Sequence, residues 1–191
     1  VERSITKHDI RAWVRCAQEI LPESLRRWVH IPLTSYDPLD TARILQFLRA
    51  YQGELRPALK KTILILADLV KKFASQVQIG RTHGQHALPI TVGFWIATVL
   101  SRILYNAQSI EFQSRNLVGK IAGAVGAKNA QIGLGIESRC GEYFFEYRVL
   151  EKLGLKIAPI STQILPPEPL AYFLHACVLA SASLAQLGRD C

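Results

Sequence analysis

The sequence predicts an all-α fold built around a bundle of long helices, and two observations lead to this prediction. Apolar residues recur every three or four positions over about residues 37–75 and again over about 89–118, as one face of a helix requires. Hydrophobic residues make up 49% of the 191-residue chain, which supports a packed core and excludes a disordered chain. Helices this long cannot bury their apolar faces in a small globule, so we expect a bundle or an assembly.

The same spacing predicts five helices, whose approximate bounds are residues 5–21, 37–75, 89–118, 135–153 and 169–191. Pro22 should end the first helix, and Gly53 and Pro57 should bend or split the second. The third helix is apolar on most of its circumference, which indicates packing against other subunits. His175 lies in the apolar last helix and is predicted to be a core residue.

A polar segment, residues 80–89, joins the two longest helices and is predicted to be a short rigid turn. Gly80 and Gly84 allow backbone conformations that other residues resist, and Pro89 suits the first turn of the next helix. His83 can give or take a proton near neutral pH, whereas His86 is expected to be structural. The alternative is a turn whose histidines only satisfy backbone groups.

Two further polar segments lie at predicted helix starts. Lys7, His8 and Asp9 fall in a first turn, where free backbone N–H groups favour anions, although plain capping is the alternative. Thr34 and Ser35 are good N-cap residues, and two hydroxyls beside free N–H groups also form a cradle for a carboxylate.

The last two polar segments are a glycine-rich connection, residues 119–126, and a loop that includes Gln163. The glycines and Lys120 could hold an anion, but the spacing is not that of a P-loop, and a plain helix-ending loop is the alternative. No motif for a cofactor is present, so we expect none.

Composition limits the partners. The net charge of +8 favours anionic ligands, but the basic residues are scattered, so we expect no nucleic-acid binding. The four cysteines lack metal-ligand spacing, and Cys140 and Cys177 fall on apolar faces, which indicates a reducing, cytoplasmic setting. The apolar segment 90–104 is short for a membrane span, so we expect no membrane association.

Taken in order along the chain, these motifs resemble those of the fumarase/aspartase superfamily in the form carried by adenylosuccinate lyases. The matching segments are Lys7-His8-Asp9, Thr34-Ser35 with Asp37 and the upstream His30, Arg81-Thr82-His83-Gly84-Gln85, Gly119–Gly126, and Ser161-Thr162-Gln163. The resemblance covers nearly the whole chain but only the middle of a considerably longer family chain. It implies that residues 1–36 end an N-terminal helical domain and that residues 37–191 are an incomplete central long-helix bundle.

The resemblance also implies a function. Members of this family are homotetramers whose active sites draw segments from three subunits, and they eliminate fumarate from adenylosuccinate or from the related succinyl-aminoimidazole carboxamide ribotide. His83 is similar to the histidine that acts as general acid. The residues similar to substrate-binding positions are Lys7, His8, Asp9, Thr34, Ser35 and Gln163. The expected substrate is therefore an anionic nucleotide that carries a succinyl group.

Three alternatives stay open. The chain also resembles sister lyases that act on argininosuccinate or a cyclic muconate, although Gly84 favours the adenylosuccinate branch and His83 argues against the muconate branch. The family's signature loop with its general-base serine is absent, as is any methionine. We therefore expect a fragment that is inactive alone, and a catalytically inactive helical scaffold is the third possibility.

Overall fold

The computed structural model describes residues 1–141 and 144–190, and these are mostly helical, which confirms the predicted fold class. The α-helices are α1 (Asp9–Ile20), α2 (Glu23–Arg26), α3 (Tyr36–Ala50), α4 (Arg56–Lys72), α5 (Val92–Ser114), α6 (Asn129–Gly133), α7 (Phe145–Lys152) and α8 (Glu168–Asp190). Glu2–Thr6 and Tyr51–Leu55 are each π-helical, and Glu137–Arg139 is a 3-10 helix.

Two small sheets accompany the helices. Strands β1 (Val77–Thr82) and β2 (Gln85–Thr91) form an antiparallel hairpin. Strands β3 (Val118–Gly119) and β4 (Lys156–Ile157) are parallel and only two residues long.

The chain forms two compact units, and each is discontinuous in sequence. The first unit comprises Val1–Leu45 and Val118–Pro166, and the second comprises Gln46–Leu117 and Pro167–Cys191. The predicted domain boundary after residue 36 stays a prediction.

In the second unit, α4 and α8 pack on α5. Leu66 of α4 and Ile96, Val99 and Ile103 of α5 form a buried cluster. Burying side chains of this kind contributes about 1.5–3 kcal/mol each. The amide of Asn106 in α5 donates to Ser183 Oγ in α8 at 2.8 Å, so the two helices also share a buried hydrogen bond.

Helix α8 has 23 residues, and an 18-residue window of it reaches a mean hydropathy of 1.5. A membrane-spanning helix can have the same length and mean hydropathy. In this fold, however, Phe173 packs edge-on against the ring of Tyr51, and Ala176 and Ala180 are buried. Part of its apolar surface is therefore used in packing within the second unit.

The first unit contains a buried cluster of polar side chains. Asp37, Asp40 and Thr41 lie on the buried side of the first turns of α3. Lys120, directly after β3, is fully buried beside them.

The structure changes several predicted boundaries. The run predicted over 37–75 is helical from Tyr36 to Lys72, and a π-helical segment interrupts it around Gly53, so the predicted local distortion is confirmed. The first α-helix begins at Asp9, and not at residue 5, because His8 is its N-cap.

Two predictions about helices are wrong. The segment before Val92 is a β-hairpin, so Pro89 and His86 lie in strand β2 and not in a helix. Of the helix predicted over 135–153, the described residues are α-helical only at Phe145–Lys152, because Gly135 and Gly141 adopt positive φ; residues 142 and 143 lie outside the described part of the chain. His175 is exposed on α8, so its predicted place in the core is also wrong.

Candidate functional site

The candidate site is a cavity of about 600 Å³ in the first unit. It is lined by His8, Ile10, Arg11, Val14, Arg15, Gln18, His30, Leu33, Thr34 and Ser35. The cavity therefore brings together three of the predicted site residues, which are His8, Thr34 and Ser35.

His8 reaches this cavity because it caps α1. Its Nδ1 lies 3.5 Å from the backbone nitrogen of Arg11 and 3.1 Å from Asp9 Oδ1. The first contact needs an unprotonated Nδ1 and the second a protonated one, so the two are alternatives. Asp9 also accepts a hydrogen bond from the backbone N–H of Ile10, which satisfies a free donor at the helix start.

The carboxylate of Asp37 holds Thr34 and Ser35 at the N-terminus of α3. Asp37 Oδ2 accepts a hydrogen bond of 2.9 Å from the backbone N–H of Thr34. Because this N–H is fixed, the two neighbouring side-chain hydroxyls keep a defined position beside the cavity.

His30 carries an unsatisfied buried atom on the cavity wall. Its Nε2 is buried and has no hydrogen-bond partner among the described residues. Burial lowers the pKa of His30 from 6.5, Arg11 and His8 lower it further, and Asp37 opposes them. A buried polar atom without a partner costs free energy, so it marks a place where a ligand group can bind.

Helix α1 supplies further polar residues that the sequence reasoning missed, namely Arg11, Arg15 and Gln18. Their spacing of four and then three residues puts them on one face of a helix, which is a signal the sequence did contain. His30 was identified only through the motif beside it. Two guanidinium groups, two imidazoles and two hydroxyls make the cavity suited to a polyanionic ligand.

The other predicted substrate-binding residues do not line the cavity. Lys7 is exposed and has a left-handed backbone conformation with φ of 50°. Gln163 is exposed in the loop before Leu165. That loop is in close contact with the glycine-rich loop, because a Cβ on Gly126 would lie 2.0 Å from the carbonyl oxygen of Ser161.

The predicted general acid lies in the second unit. His83 and Gly84 form the two-residue turn between β1 and β2, with φ of 57° and 71°. Hairpins with two-residue turns favour two consecutive positive φ values, and histidine is among the residues enriched there. The imidazole is exposed, and none of the described residues forms a hydrogen bond or ion pair with it.

A family model described as Lyase matches residues 4–191. The chain is 37% identical over 186 residues to an adenylosuccinate lyase of Bacillus subtilis, covering 97% of this chain and 40% of the relative. It is 34% identical to the corresponding enzyme of Streptococcus mutans over 97% of this chain and 40% of that relative. An adenylosuccinate lyase of Pyrococcus horikoshii is 36% identical over 96% of this chain and 39% of the relative.

A solved structure is also similar. The crystal structure of 3-carboxy-cis,cis-muconate lactonizing enzyme from Pseudomonas putida matches with a TM-score of 0.76 and 27% identity, over 95% of this chain and 39% of that chain. The chain thus spans about two fifths of the length of the proteins it matches.

Proposed function

This chain belongs to the lyase family whose model matches residues 4–191, and from that premise we propose that it is the central part of an adenylosuccinate lyase. The reaction would be the β-elimination of fumarate from adenylosuccinate or from succinyl-aminoimidazole carboxamide ribotide. The single observation that carries the proposal is the cavity of the first unit, in which His8, Thr34 and Ser35 meet arginines from α1.

In this proposal the cavity binds the anionic groups of the substrate. The guanidinium groups of Arg11 and Arg15 can bind a carboxylate or phosphate through paired hydrogen bonds. The hydroxyls of Thr34 and Ser35 donate to a carboxylate, and the free Nε2 of His30 supplies one more polar contact. Lys7, Asp9 and Gln163 remain proposed substrate-binding residues, and the first two are the sequence neighbours of His8.

His83 is the proposed general acid. A base removes a proton from the carbon next to the one that bears nitrogen, the carbon–nitrogen bond breaks, and fumarate forms. The electron pair of the broken bond remains on the purine-side nitrogen, and the imidazolium of His83 donates the proton that neutralises it. A two-residue hairpin turn suits this role because it fixes the backbone while leaving the side chain accessible.

We also propose that the full-length protein is a homotetramer, in which the exposed His83 of one subunit meets substrate bound by others. The support is the apolar surface of the second unit. Tyr105 and Phe112 on α5 are 73% and 63% exposed, and Val178 on α8 is 62% exposed. Large apolar surfaces of this kind are typical of subunit interfaces.

The test is the substrate profile of the full-length protein. Purified enzyme should release fumarate from adenylosuccinate, followed by absorbance, and should not act on argininosuccinate. Fumarate release from argininosuccinate alone would reject the proposal in favour of the sister lyase.

The second candidate is a muconate cycloisomerase, which the structural similarity to the Pseudomonas putida enzyme favours. The name of that enzyme describes lactonization of 3-carboxy-cis,cis-muconate. Including this compound in the same substrate panel separates the two candidates. Its conversion in the absence of activity on adenylosuccinate would make the second candidate correct.

A further inference from the structure

The start of helix α3 carries three buried polar side chains, and each of them binds a different loop of the first unit. Asp37 Oδ2 accepts from the backbone N–H of Thr34 at 2.9 Å. Asp40 Oδ2 accepts from the backbone N–H of Leu165 at 2.8 Å. Thr41 Oγ1 is 2.9 Å from the carbonyl oxygen of Lys120 and 3.2 Å from its backbone nitrogen.

Asp37 additionally binds the glycine-rich loop. Its carboxylate accepts from the backbone N–H of Ala122 at 3.1 Å and from that of Gly123 at 3.2 Å and 3.3 Å. The ammonium of Lys120 donates to Asp37 Oδ1, and both side chains are fully buried. Lys120 therefore supplies the counter-charge for a carboxylate that is buried away from water.

These contacts join the Thr34-Ser35 segment, the 119–126 loop and the segment before Leu165, which holds Gln163. The first of these lines the cavity, and the other two press against each other at Gly126 and Ser161. Because one rigid helix end binds all three, a change there alters the positions of the loops and not only their stability.

We propose that Asp37, Asp40 and Thr41, with Lys120 as counter-charge, are positioning residues that set the relative places of the Thr34-Ser35 segment, the 119–126 loop and the segment that holds Gln163. They do not touch the substrate but act through the backbone groups they bind. The link to substrate binding rests on the proposed function, whereas the role in holding the loops rests on the contacts alone.

The test uses hydrogen exchange and steady-state kinetics on the full-length protein. The Asp37→Asn substitution replaces one carboxylate oxygen by an NH2 group, and it leaves Lys120 without a counter-charge. Peptides covering residues 30–36 and 118–126 should exchange faster than in wild type, by at least about tenfold in one of them, because a single carboxamide oxygen cannot accept from the amides of Thr34, Ala122 and Gly123 as the two carboxylate oxygens do. KM for adenylosuccinate should rise at least about tenfold, with a smaller change in kcat.

The matched control is Glu111→Gln, which removes the charge of a hydrogen-bonded carboxylate in the second unit. It should leave exchange in residues 30–36 and 118–126 unchanged. If Asp37→Asn does not fold, Asp40→Asn tests the same idea through the amide of Leu165 and the peptide covering 158–166. The double variant D37N/K120M, which restores neutrality, should recover thermal stability but not KM.

The outcomes separate the two claims. Wild-type exchange rates at both loops in a folded Asp37→Asn protein would overturn the positioning role, whatever the enzyme does. Faster exchange with no activity of wild type on adenylosuccinate would leave the positioning role intact and reject the proposed function. Recovery of both stability and KM in D37N/K120M would reduce the pair to a structural ion pair and overturn the proposal.

Discussion

Gly126 lies against Ser161 so closely that a Cβ on the glycine would be 2.0 Å from the serine carbonyl oxygen. The glycine also has φ of 77°, a conformation that side-chain-bearing residues rarely adopt. The contact joins the glycine-rich loop to the loop that carries Gln163, so the two loops cannot move independently.

The first prediction is that Gly126→Ala displaces the loop of Gln163. Strain and overlap with backbone should destabilise the protein by about 2–4 kcal/mol, and KM for adenylosuccinate should rise. Thermal unfolding and steady-state fumarate release measure the two effects. Gly133→Ala is the matched control, since a Cβ at Gly133 meets nothing within 4 Å and should change neither quantity by much. Equal behaviour of the two variants would contradict the prediction.

The second prediction concerns acid sensitivity at His30. Its pKa in the folded protein is lowered, first by burial, so the unfolded state binds more protons below pH 6.5. The stability that depends on neutral His30 is therefore complete above pH 6.5 and is lost as pH falls through the folded pKa. Between pH 8 and pH 5, the unfolding temperature should fall more steeply for wild type than for His30→Gln.

An anion in the cavity should counteract this loss, because it stabilises the charged imidazole. Inorganic phosphate at acidic pH should raise the unfolding temperature of wild type more than that of His30→Gln. Parallel pH profiles for the two proteins would rule out His30 as the source of the effect.

The third prediction concerns Glu111, which connects α5 to the π-helical segment of the second unit. Tyr51 donates to its Oε2, and Arg115 donates to its Oε1 at 2.9 Å. The hydrogen bond from Tyr51 has the largest effect and that from Arg115 the next, and both lower the pKa of Glu111 from its ordinary value of 4.5. Its contribution to stability is thus complete above pH 4.5 and is lost as pH falls through the folded pKa.

Tyr51→Phe removes the first of these bonds and should cost about 1–2 kcal/mol at pH 7, with a smaller cost at pH 3. Urea unfolding at both pH values measures the difference. The control Thr62→Val removes an exposed hydroxyl of α4 whose hydrogen bond is local, and its effect should be small and independent of pH. A cost for Tyr51→Phe that is the same at both pH values would show that the charge of Glu111 does not strengthen its hydrogen bond with Tyr51.

Comparison of sequence and structure shows what an apolar pattern can and cannot determine. The spacing of Leu66, Ile96 and Ile103 predicted long helices, because a stripe repeated over many turns is difficult to produce by chance. The hairpin at Val77–Thr91 was missed because Pro89 also suits a helix start. A two-residue His-Gly turn between alternating residues was the available signal.

The site was predictable where motifs were local and not where the fold brings distant residues together. His8 and Thr34 were recognised from short motifs, and both line the cavity. The contacts of Asp37 with Gly123 and of Asp40 with Leu165 span more than 80 residues of sequence. No spacing rule relates such residues, so only the tertiary structure reveals them.

The fourth prediction is that the apolar surface of α8 lies in a subunit interface. Val178→Asp should shift the full-length protein from the proposed tetramer to smaller species, because a buried unpaired charge is costly. Sedimentation velocity measures the change. Ile132→Asp, at a residue of similar exposure on α6 in the first unit, is the control. A tetramer that persists in Val178→Asp would place the interface elsewhere.

The fifth prediction is that His83 donates the proton to the leaving nitrogen. His83→Asn is the best variant, because asparagine tolerates the positive φ that the turn requires and cannot supply a proton. The exposed side chain of His83 has no hydrogen bond or ion pair with the described residues, so the unfolding temperature and oligomeric state should not change. Loss of a general acid should lower kcat by about 10²–10⁴-fold, whereas KM should change little.

Two controls make the result specific to His83. His86→Asn alters the exposed histidine that pairs with Arg81 in the same hairpin, and His175→Asn alters the exposed histidine of α8. Both should keep kcat within a factor of a few of wild type. If His83→Asn keeps kcat within a few-fold of wild type, the proton comes from another residue, and the turn then serves only to shape the hairpin.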